Sequence, residues 1–431
     1  MRLRPLANNG SPGGAGGGGG GSGSGGAAGG PGGSGGGGGG PSSCQQIPSC
    51  PGGAVVTGKV YAPNGTDPIA GASVYIPTGT DEFPPGLSCD ICSQGGFSSC
   101  AHTFSGIDGS FTLSGAPTGM TEIDLQKGRF RRRLHLSLSC GTTMLSPDQS
   151  RLPRNGSEGD LPKIAVANGD WDKLECVLRK IGLDASAIDV FNHTLDFSEA
   201  GKPDLGSLVA NLDQLKSYHI VFINCSDNSL ESYLSQPQVV GNLHSYVSMG
   251  GRLYVTDWSY DHVEQVPQWA PLVCWQGSSC PQTPEPMHAA ALGRNGLEVN
   301  ATIEDMNLKQ WLTELGATNP DGTVHITHFL DQWIMQKSNV APVREWVRGP
   351  VQSGDGSINA LLPLTFTFDY NGCGRVLYSS YHTLGRDNDL CGLGGPGCHF
   401  PDYCDGSPLS PQERILEYLI FEISTCVNPP G

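Results

Sequence analysis

Two side chains that can act together in covalent catalysis follow predicted strands. Cys225 comes directly after the apolar run at residues 219–224 (HIVFIN), and His382 ends a later run of the same kind. If both runs are parallel strands, the thiol and the imidazole lie near the carboxyl edge of the sheet, where α/β proteins bind ligands. A thiol and a histidine base form a hydrolytic pair, which Asp369 or Asp387 would orient. The alternatives stay open: a disulfide-bonded or buried structural cysteine, and a surface histidine.

A second pair of histidines is a minor candidate for metal binding. His325 and His328 lie three residues apart in the stretch VHITHF. We interpret this stretch as a strand, in which side chains three apart point to opposite faces. On a helix, the same imidazoles could hold zinc together with Asp331. The strand interpretation argues against a shared metal. We also predict no cofactor, because no phosphate-binding GxGxxG or GxxxxGK[ST] loop opens a helix.

Fifteen cysteines indicate an oxidising compartment, because cytosolic thiols are kept reduced. Cys89 and Cys92 form a Cys-x-x-Cys pair that could hold a metal, but a second pair is missing. We expect disulfides of this pair with Cys100 or Cys140, and a disulfide-linked loop near residues 391–404. The exact pairing stays open. The disulfide candidates are Cys89, Cys92, Cys100, Cys140, Cys274, Cys280, Cys391, Cys398 and Cys404.

Charge and the low-complexity start limit the possible partners. With 41 acidic against 25 basic side chains, the chain does not have the basic surface that nucleic acid requires. Residues 10–40 are almost entirely Gly, Ser, Ala and Pro, so we predict a disordered tether over residues 1–52. No apolar run is long enough for a membrane-spanning helix, and the basic start MRLRPL lacks the apolar part of a signal peptide. We expect an export signal that is removed or encoded upstream, with peripheral or lipid-tethered membrane association.

Short alternating runs separated by Gly, Pro, Asn and Asp predict a small all-β domain at residues 53–150. Its predicted strands are residues 54–62, 72–76, 110–113, 121–125 and 131–138. Residues 56–77 (VTGKVYAPNGTDPIAGASVYIP) and 106–119 (GIDGSFTLSGAPTG) resemble the carboxypeptidase regulatory-like, transthyretin-like family. The resemblance implies a non-catalytic, prealbumin- or immunoglobulin-like β-sandwich. We interpret the basic run from Arg129 to His135 as an outward-facing charged strand, with anionic-glycan binding as the alternative.

Apolar strands alternate with amphipathic helices over residues 158–428, which predicts an α/β domain. The predicted buried parallel strands are residues 163–167, 219–223, 252–256 and 375–379. Residues 245–259 (SYVSMGGRLYVTDWS) and 371–383 (NGCGRVLYSSYHT) resemble the class I glutamine-amidotransferase-like family. The resemblance implies a flavodoxin-like parallel sheet with a nucleophile on the turn after a strand, which makes Ser259 the candidate. Bulky Trp258 and Tyr260 stand where the family has small residues, and the turn contains no cysteine.

Together, the two regions resemble a family of secreted myxobacterial proteins, which implies an extracellular or cell-envelope location. We predict a surface-tethered, non-catalytic binding or scaffold protein whose partner is an envelope polysaccharide or protein. The first alternative is a hydrolase or amidase that uses Cys225 or Ser259 with His382. The oligomeric state stays open. The second alternative is carbohydrate binding through the β-sandwich together with a loop rich in aromatic rings, Trp258, Tyr260, Trp269 and Trp275.

Overall fold

A computed structural model describes residues 50–79, 82–89, 99–195, 198–278, 280, 283–327, 329, 332–383, 399–404 and 406–426. These residues belong to one compact unit. Most of the predicted tether, residues 1–49, lies outside the described residues. No helix in the described ranges combines the length and the apolar character needed to cross a membrane.

Strands dominate the described chain, and most helices are short. The strands are β1 (Ala54–Lys59), β2 (Ser73–Pro77), β3 (Ser99–Phe104), β4 (Ser110–Ala116), β5 (Gly119–Lys127), β6 (Phe130–Leu138), β7 (Thr142–Met144), β8 (Ile164–Ala167), β9 (Ile188–Phe191), β10 (Ile220–Ile223), β11 (Arg252–Thr256), β12 (Val273–Trp275), β13 (Val299–Ile303), β14 (Val324–Ile326), β15 (Gln336–Asn339), β16 (Arg344–Gln352), β17 (Asn359–Tyr370) and β18 (Gly374–Ser379). The α-helices are α1 (Pro147–Ser150), α2 (Leu174–Lys180), α3 (Leu205–Ala210), α4 (Leu212–Leu215), α5 (Pro237–Ser248), α6 (Asp261–Glu264), α7 (Met306–Glu314) and α8 (Pro411–Ile423). Short 3₁₀ helices are Ala185–Ala187, Asn228–Ser235 and Asp257–Tyr260.

Two small sheets contain the first seven strands. One has the order β4-β1-β7 and the other the order β3-β2-β5-β6. Along β4, Phe111 and Leu113 are buried while Ser110, Thr112 and Ser114 are exposed, because successive strand side chains point to opposite faces. The five strands predicted in this region are confirmed as strands, with small shifts of their ends. Strands β3 and β7 were not predicted.

A mixed sheet of nine strands forms the second half, in the order β14-β13-β16-β17-β18-β11-β10-β8-β9. The strands β9, β8, β10, β11 and β18 are parallel neighbours. Numbered by their place in the chain, these five have the order 2-1-3-4-5. The remaining strands extend the sheet in antiparallel fashion beyond β18. The four predicted parallel strands are therefore confirmed, whereas β9 and the antiparallel extension were not predicted.

The parallel strands are covered on both faces, as their uninterrupted apolar sequences require. In β8, Ile164 and Val166 belong to one hydrophobic cluster, and Ala165 and Ala167 belong to another. The first cluster also contains Val56 of β1, so one apolar core joins the small sheets to the large sheet.

Helix boundaries follow from local chemistry. Helix α5 begins at Pro237, a favoured first residue of a helix. It is followed by Gly250, whose φ of 108° is a conformation that glycine adopts readily and that ends the helix. A Cβ at Gly250 would lie 2.1 Å from the carbonyl oxygen of Ser88. Helix α8 begins with a capping box, in which the Ser410 hydroxyl accepts from the Glu413 amide and the Glu413 carboxylate accepts from the Ser410 amide.

The stretch that joins the two predicted domains is packed into the fold. Leu152 has no exposed surface. The Arg151 guanidinium donates to Glu158 at 2.6 Å and 2.7 Å, and Arg154 Nε donates to the Pro63 carbonyl at 3.0 Å. Farther along the chain, the buried Trp311 indole donates to the carbonyl of Pro68 at 2.8 Å. The buried Trp311–Pro68 hydrogen bond thus ties the α/β half to the β-rich half, and Arg154 ties the junction to it.

Disulfides cross-link the fold, but not in the predicted pairs. Cys50 pairs with Cys140 and Cys89 pairs with Cys373, so the expected pairing of Cys89 with Cys100 or Cys140 is wrong. Cys404 pairs with Cys176 in the "α2 bridge", rather than within its own glycine-rich loop.

Cys274 pairs with Cys280 in the "β12 bridge". Cys100 is also disulfide-bonded. Cys92, Cys391 and Cys398 lie outside the described residues. Cys225 is the free cysteine of the described part of the chain.

The basic run on β6 is held by carboxylates. Arg131 is 7% exposed and its Nε donates to Asp160 at 2.8 Å, so the prediction of an outward-facing charge is wrong at this position. Arg133 forms two hydrogen bonds of 2.8 Å with Asp124. Backbone hydrogen bonds between Arg131 and Asp160 cover part of this sheet edge. The edge is therefore protected by pairing as well as by charge.

Candidate functional site

Polar residues collect where the parallel strands end. Strand order reverses on either side of β8, and the crevice beyond such a point is where open α/β sheets bind ligands. Cys225 follows the end of β10 by two residues, Asp257 directly follows β11, and His382 follows the end of β18 by three. All three side chains are fully buried at this edge.

Asp257 joins the other two residues. Its Oδ2 lies 3.2 Å from His382 Nε2 and 3.9 Å from Cys225 Sγ, and its Oδ1 accepts from the Ile334 amide at 2.6 Å. Its φ of 39° is unusual for a residue other than glycine. Such strained positions cluster at functional sites, where the surrounding structure holds them in place. The turn after β11 thus aims a carboxylate, not a hydroxyl, at the imidazole.

The electrostatics of this site favour neutral groups. Burial raises the pKa of the Cys225 thiol well above its ordinary value, and the Asp257 carboxylate raises it further. Burial also raises the pKa of Asp257 well above its ordinary value, against the opposing effect of the Ile334 amide. A thiol must lose its proton to act as a nucleophile. As arranged here, Cys225 is held as a thiol.

More carboxylates surround the three residues. Asp172 accepts from the Thr383 amide at 3.2 Å, next to His382. Glu175 accepts from the Asn224 side chain at 2.8 Å and from the Tyr403 hydroxyl at 2.6 Å. Burial raises the pKa of Glu175 as well. The surroundings are therefore acidic, which opposes thiolate formation.

The structure brings two of the three predicted catalytic candidates together. Cys225 and His382 meet at Asp257, while the buried Ser259 hydroxyl donates to the Asn224 carbonyl at 3.0 Å. Asp369, one predicted partner of His382, instead pairs with Arg375, with 3.1 Å between Oδ2 and Nη2, so that prediction is wrong. Asp387, the other predicted partner, lies outside the described residues.

Sequence reasoning missed Asp257 as the residue that orients His382. The available signal was its position, since it is the first residue after a buried strand and opens a strand-to-helix turn. That is where a nucleophile or a ligand side chain stands in α/β enzymes. The family resemblance favours instead the Ser259 hydroxyl, two residues later in the same turn.

The three residues are also of the kinds that bind zinc. One ligand atom from each of Cys225, Asp257 and His382 lies within 4.8 Å of the others. The predicted metal pair behaves differently. His325 lies on β14, with its imidazole 45% exposed and its Nδ1 3.0 Å from Asn300 Oδ1. His328 and Asp331 lie outside the described residues.

The aromatic loop does not form an exposed platform. Trp269 has no exposed surface, Tyr260 is 1% exposed and Trp275 is 3% exposed, and only Trp258 is partly exposed. Tyr260 and Trp275 contact each other edge to face with 4.9 Å between ring centroids. These rings build the core behind the site. The rings of Tyr260, Trp269 and Trp275 are therefore not accessible for stacking on a sugar.

Comparisons with known proteins give remote structural similarities. No protein-family model matches the chain, and no curated protein matches it in sequence. A ThuA-like protein of Parabacteroides merdae is similar over 62% of this chain and 91% of its own, with a TM-score of 0.34 and 14% identity.

A ThuA-like protein of Bacteroides uniformis is similar over 60% of this chain and 88% of its own, with a TM-score of 0.31 and 10% identity. The mmIFT52 N-terminal domain is similar over 61% of this chain and 97% of its own, with a TM-score of 0.30 and 9% identity. Similarities this low carry no conclusion about activity. The family resemblances of the sequence stay predictions.

Proposed function

We propose that this chain is an exported cell-envelope protein that acts by binding a partner and not by covalent catalysis at Cys225. The partner class is an envelope polysaccharide or protein, and a lipid or peripheral anchor would keep the chain at the surface. The disulfides of the described residues support an oxidising location, because such bonds persist outside the reducing cytosol. The acidic net charge of −16 supports a soluble surface exposed to the medium.

One observation carries the non-catalytic part of the proposal. The Cys225 side chain is fully buried, and both its burial and the adjacent Asp257 raise its pKa. Reactive cysteines occupy the opposite environment, one that is partly exposed and positively charged. A buried neutral thiol packs as a small apolar side chain.

Two finer points of architecture belong to the same proposal. We infer a β-sandwich of the regulatory-like type for the small sheets, supported by their alternating burial and shared apolar core. We also infer a flavodoxin-like layer for the parallel strands, supported by the order 2-1-3-4-5 of β9, β8, β10, β11 and β18. Under this proposal, the regulatory-like module is a spacer or stiffening element, and the α/β unit contains the polar site.

Thiol alkylation tests the proposal. The intact protein is treated with iodoacetamide at pH 8, once native and once in guanidinium chloride without reductant, and the modified cysteines are mapped by mass spectrometry. We expect Cys225 to react more than about 100-fold faster in the unfolded protein, because the native thiol is both inaccessible and protonated. The variant Cys225→Ala confirms the site of modification. Rapid labelling of native Cys225 would overturn the proposal.

A hydrolase is the second candidate, favoured by the convergence of Cys225, Asp257 and His382. A substrate that displaced the surrounding polar contacts would have to lower the pKa of the thiol before attack. Ester and amide substrate panels with wild type, Cys225→Ser and Ser259→Ala separate the two functions. Turnover that Cys225→Ser abolishes and Ser259→Ala retains would establish the hydrolase.

A further inference from the structure

A second group of buried titratable side chains lies at the same edge of the sheet as the candidate site. Glu231 belongs to the 3₁₀ helix after β10, and Asp261 opens α6 after β11. His288 lies in the segment after β12 and has a φ of 64°. One ligand atom from each of the three lies within 4.8 Å of the others. We call these residues the Glu231 cluster.

Several polar atoms in the Glu231 cluster have no hydrogen-bond partner among the described residues. They are both carboxylate oxygens of Glu231 and Oδ1 of Asp261. Glu231 and Asp261 have no exposed surface. Buried polar atoms are nearly always paired, because leaving one unpaired costs on the order of 1–3 kcal/mol. Three such atoms, on two neighbouring buried carboxylates, fit a common partner.

The charges point to a cation. Within the described chain, the two carboxylates contact histidines and no lysine or arginine: Glu231 lies near His193 and His262, and Asp261 lies near His288. Asp261 Oδ2 lies 2.8 Å from His288 Nδ1 and accepts from the His288 backbone amide at 3.0 Å. These contacts hold the His288 ring beside the carboxylate. The strained backbone of His288 fits a residue held for a ligand rather than for packing.

Two neighbouring histidines differ in availability. His262 is occupied, since its Nδ1 lies 2.9 Å from the Ser259 carbonyl and its Nε2 lies 2.9 Å from the Tyr233 hydroxyl. His193 Nε2 lies 3.7 Å from Glu231 Oε1 and has no hydrogen-bond partner among the described residues. Its imidazole is buried beside Glu231, so its Nε2 can add a nitrogen ligand to the cluster.

We propose that Glu231, Asp261 and His288 bind one divalent first-row transition-metal ion, with His193 as a fourth ligand. Two carboxylates and one or two imidazoles form a donor set that suits zinc and its neighbours better than calcium or magnesium, which prefer oxygen alone. The imidazole of His288 is 28% exposed, so it marks the side from which the ion and solvent reach the buried carboxylates. The site is separate from Cys225, and it does not depend on the function proposed above.

Zinc titration of the full-length chain tests this proposal. The protein is stripped with EDTA, dialysed and titrated with Zn²⁺ by isothermal calorimetry, and metal retained after gel filtration is measured by mass spectrometry. We expect one tightly bound ion per chain. Glu231→Gln and Asp261→Asn should each weaken binding by at least 100-fold, because each removes a charged ligand while keeping its shape. His288→Ala should weaken it by at least 10-fold.

Matched controls assign the ion to its site. His325→Ala, which removes an exposed histidine elsewhere, should bind zinc as wild type does, and Cys225→Ser should keep the ion bound at the Glu231 cluster. Thermal unfolding without metal shows that each variant is folded, and added Zn²⁺ should raise the melting temperature of wild type but not of Glu231→Gln. The proposal is overturned if no ion is retained, if Glu231→Gln binds zinc as tightly as wild type, or if Cys225→Ser abolishes binding.

Discussion

Glu264, the last residue of α6, should make the stability of this protein fall at neutral and alkaline pH. Its side chain is 4% exposed and accepts hydrogen bonds from the Glu285 amide and the Gln265 side chain. Burial raises the pKa of Glu264 to about 7, and the Asp261 carboxylate adds to the rise. The folded protein therefore holds this proton more tightly than the unfolded chain does.

The sign and the size follow from that difference. Because the folded-state pKa lies above the unfolded value of 4.5, the stabilising contribution is fully present below pH 4.5 and is lost as pH rises through about 7. One pKa unit corresponds to about 1.4 kcal/mol, so Glu264 removes about 2–3 kcal/mol from the free energy of unfolding between about pH 5 and pH 8.

The variant Glu264→Gln keeps the shape and the acceptor oxygen but cannot ionise. Urea unfolding at pH 5 and pH 8, with EDTA present, should show a fall in free energy that is smaller than in wild type by about 2–3 kcal/mol. Any constant cost of the substitution cancels, because the comparison is made across pH. Glu314→Gln, at an exposed position on α7, is the control. The same pH dependence in wild type and Glu264→Gln would refute the reasoning.

Three further predictions concern packing and cross-links. Gly374→Ala should unfold the chain or lower its free energy of unfolding by more than about 3 kcal/mol in urea titration, because the new Cβ would lie 1.8 Å from a backbone carbonyl oxygen. Gly241→Ala, in open space on α5, should instead raise the free energy of unfolding by about 0.5–1 kcal/mol. Replacing both cysteines of the α2 bridge by alanine should lower the free energy of unfolding by about 5 kcal/mol, and the same change in the β12 bridge by about 2 kcal/mol, because the bridges close loops of 228 and 6 residues. Equal shifts in the urea midpoint of the two variants would contradict this. Trp311→Phe should cost about 1–3 kcal/mol, because it leaves the buried Pro68 carbonyl without its donor; an unchanged melting temperature would show that this contact does not hold the halves together.

Predictions from sequence succeeded where one physical signal was enough. The runs that became β8, β10 and β11 are continuously apolar, which only a sheet covered on both faces can bury. The antiparallel strands β16 and β17 were missed because Pro350 and Pro363 interrupt them, and proline within a run argues against a strand. The register here pairs Arg348 with Pro363, so the sheet tolerates both prolines.

The candidate site was only partly predictable. The position of Cys225 and His382 at strand ends could be read from their sequence neighbours, but Asp257 takes its role from a positive φ and from distances that span the fold. Disulfide pairing failed for the same reason: Cys89 and Cys373 are 284 residues apart in sequence and 4.7 Å apart between Cα atoms. Spacing along the chain contains no such information.

The junction between the two halves is buried from Arg151 to Pro153, whereas Gly156 and Ser157 farther along it are exposed. A protease needs several residues of extended, accessible backbone, and Leu152 offers none until the surrounding core opens. Limited digestion should therefore leave residues 151–153 intact, while exposed positions such as Gly156 and Ser157 are cut first. Expression of either half alone would leave the apolar faces around Val56 and Ile164 without cover, and such fragments should aggregate. A stable fragment of this protein should therefore contain residues 50–426 together.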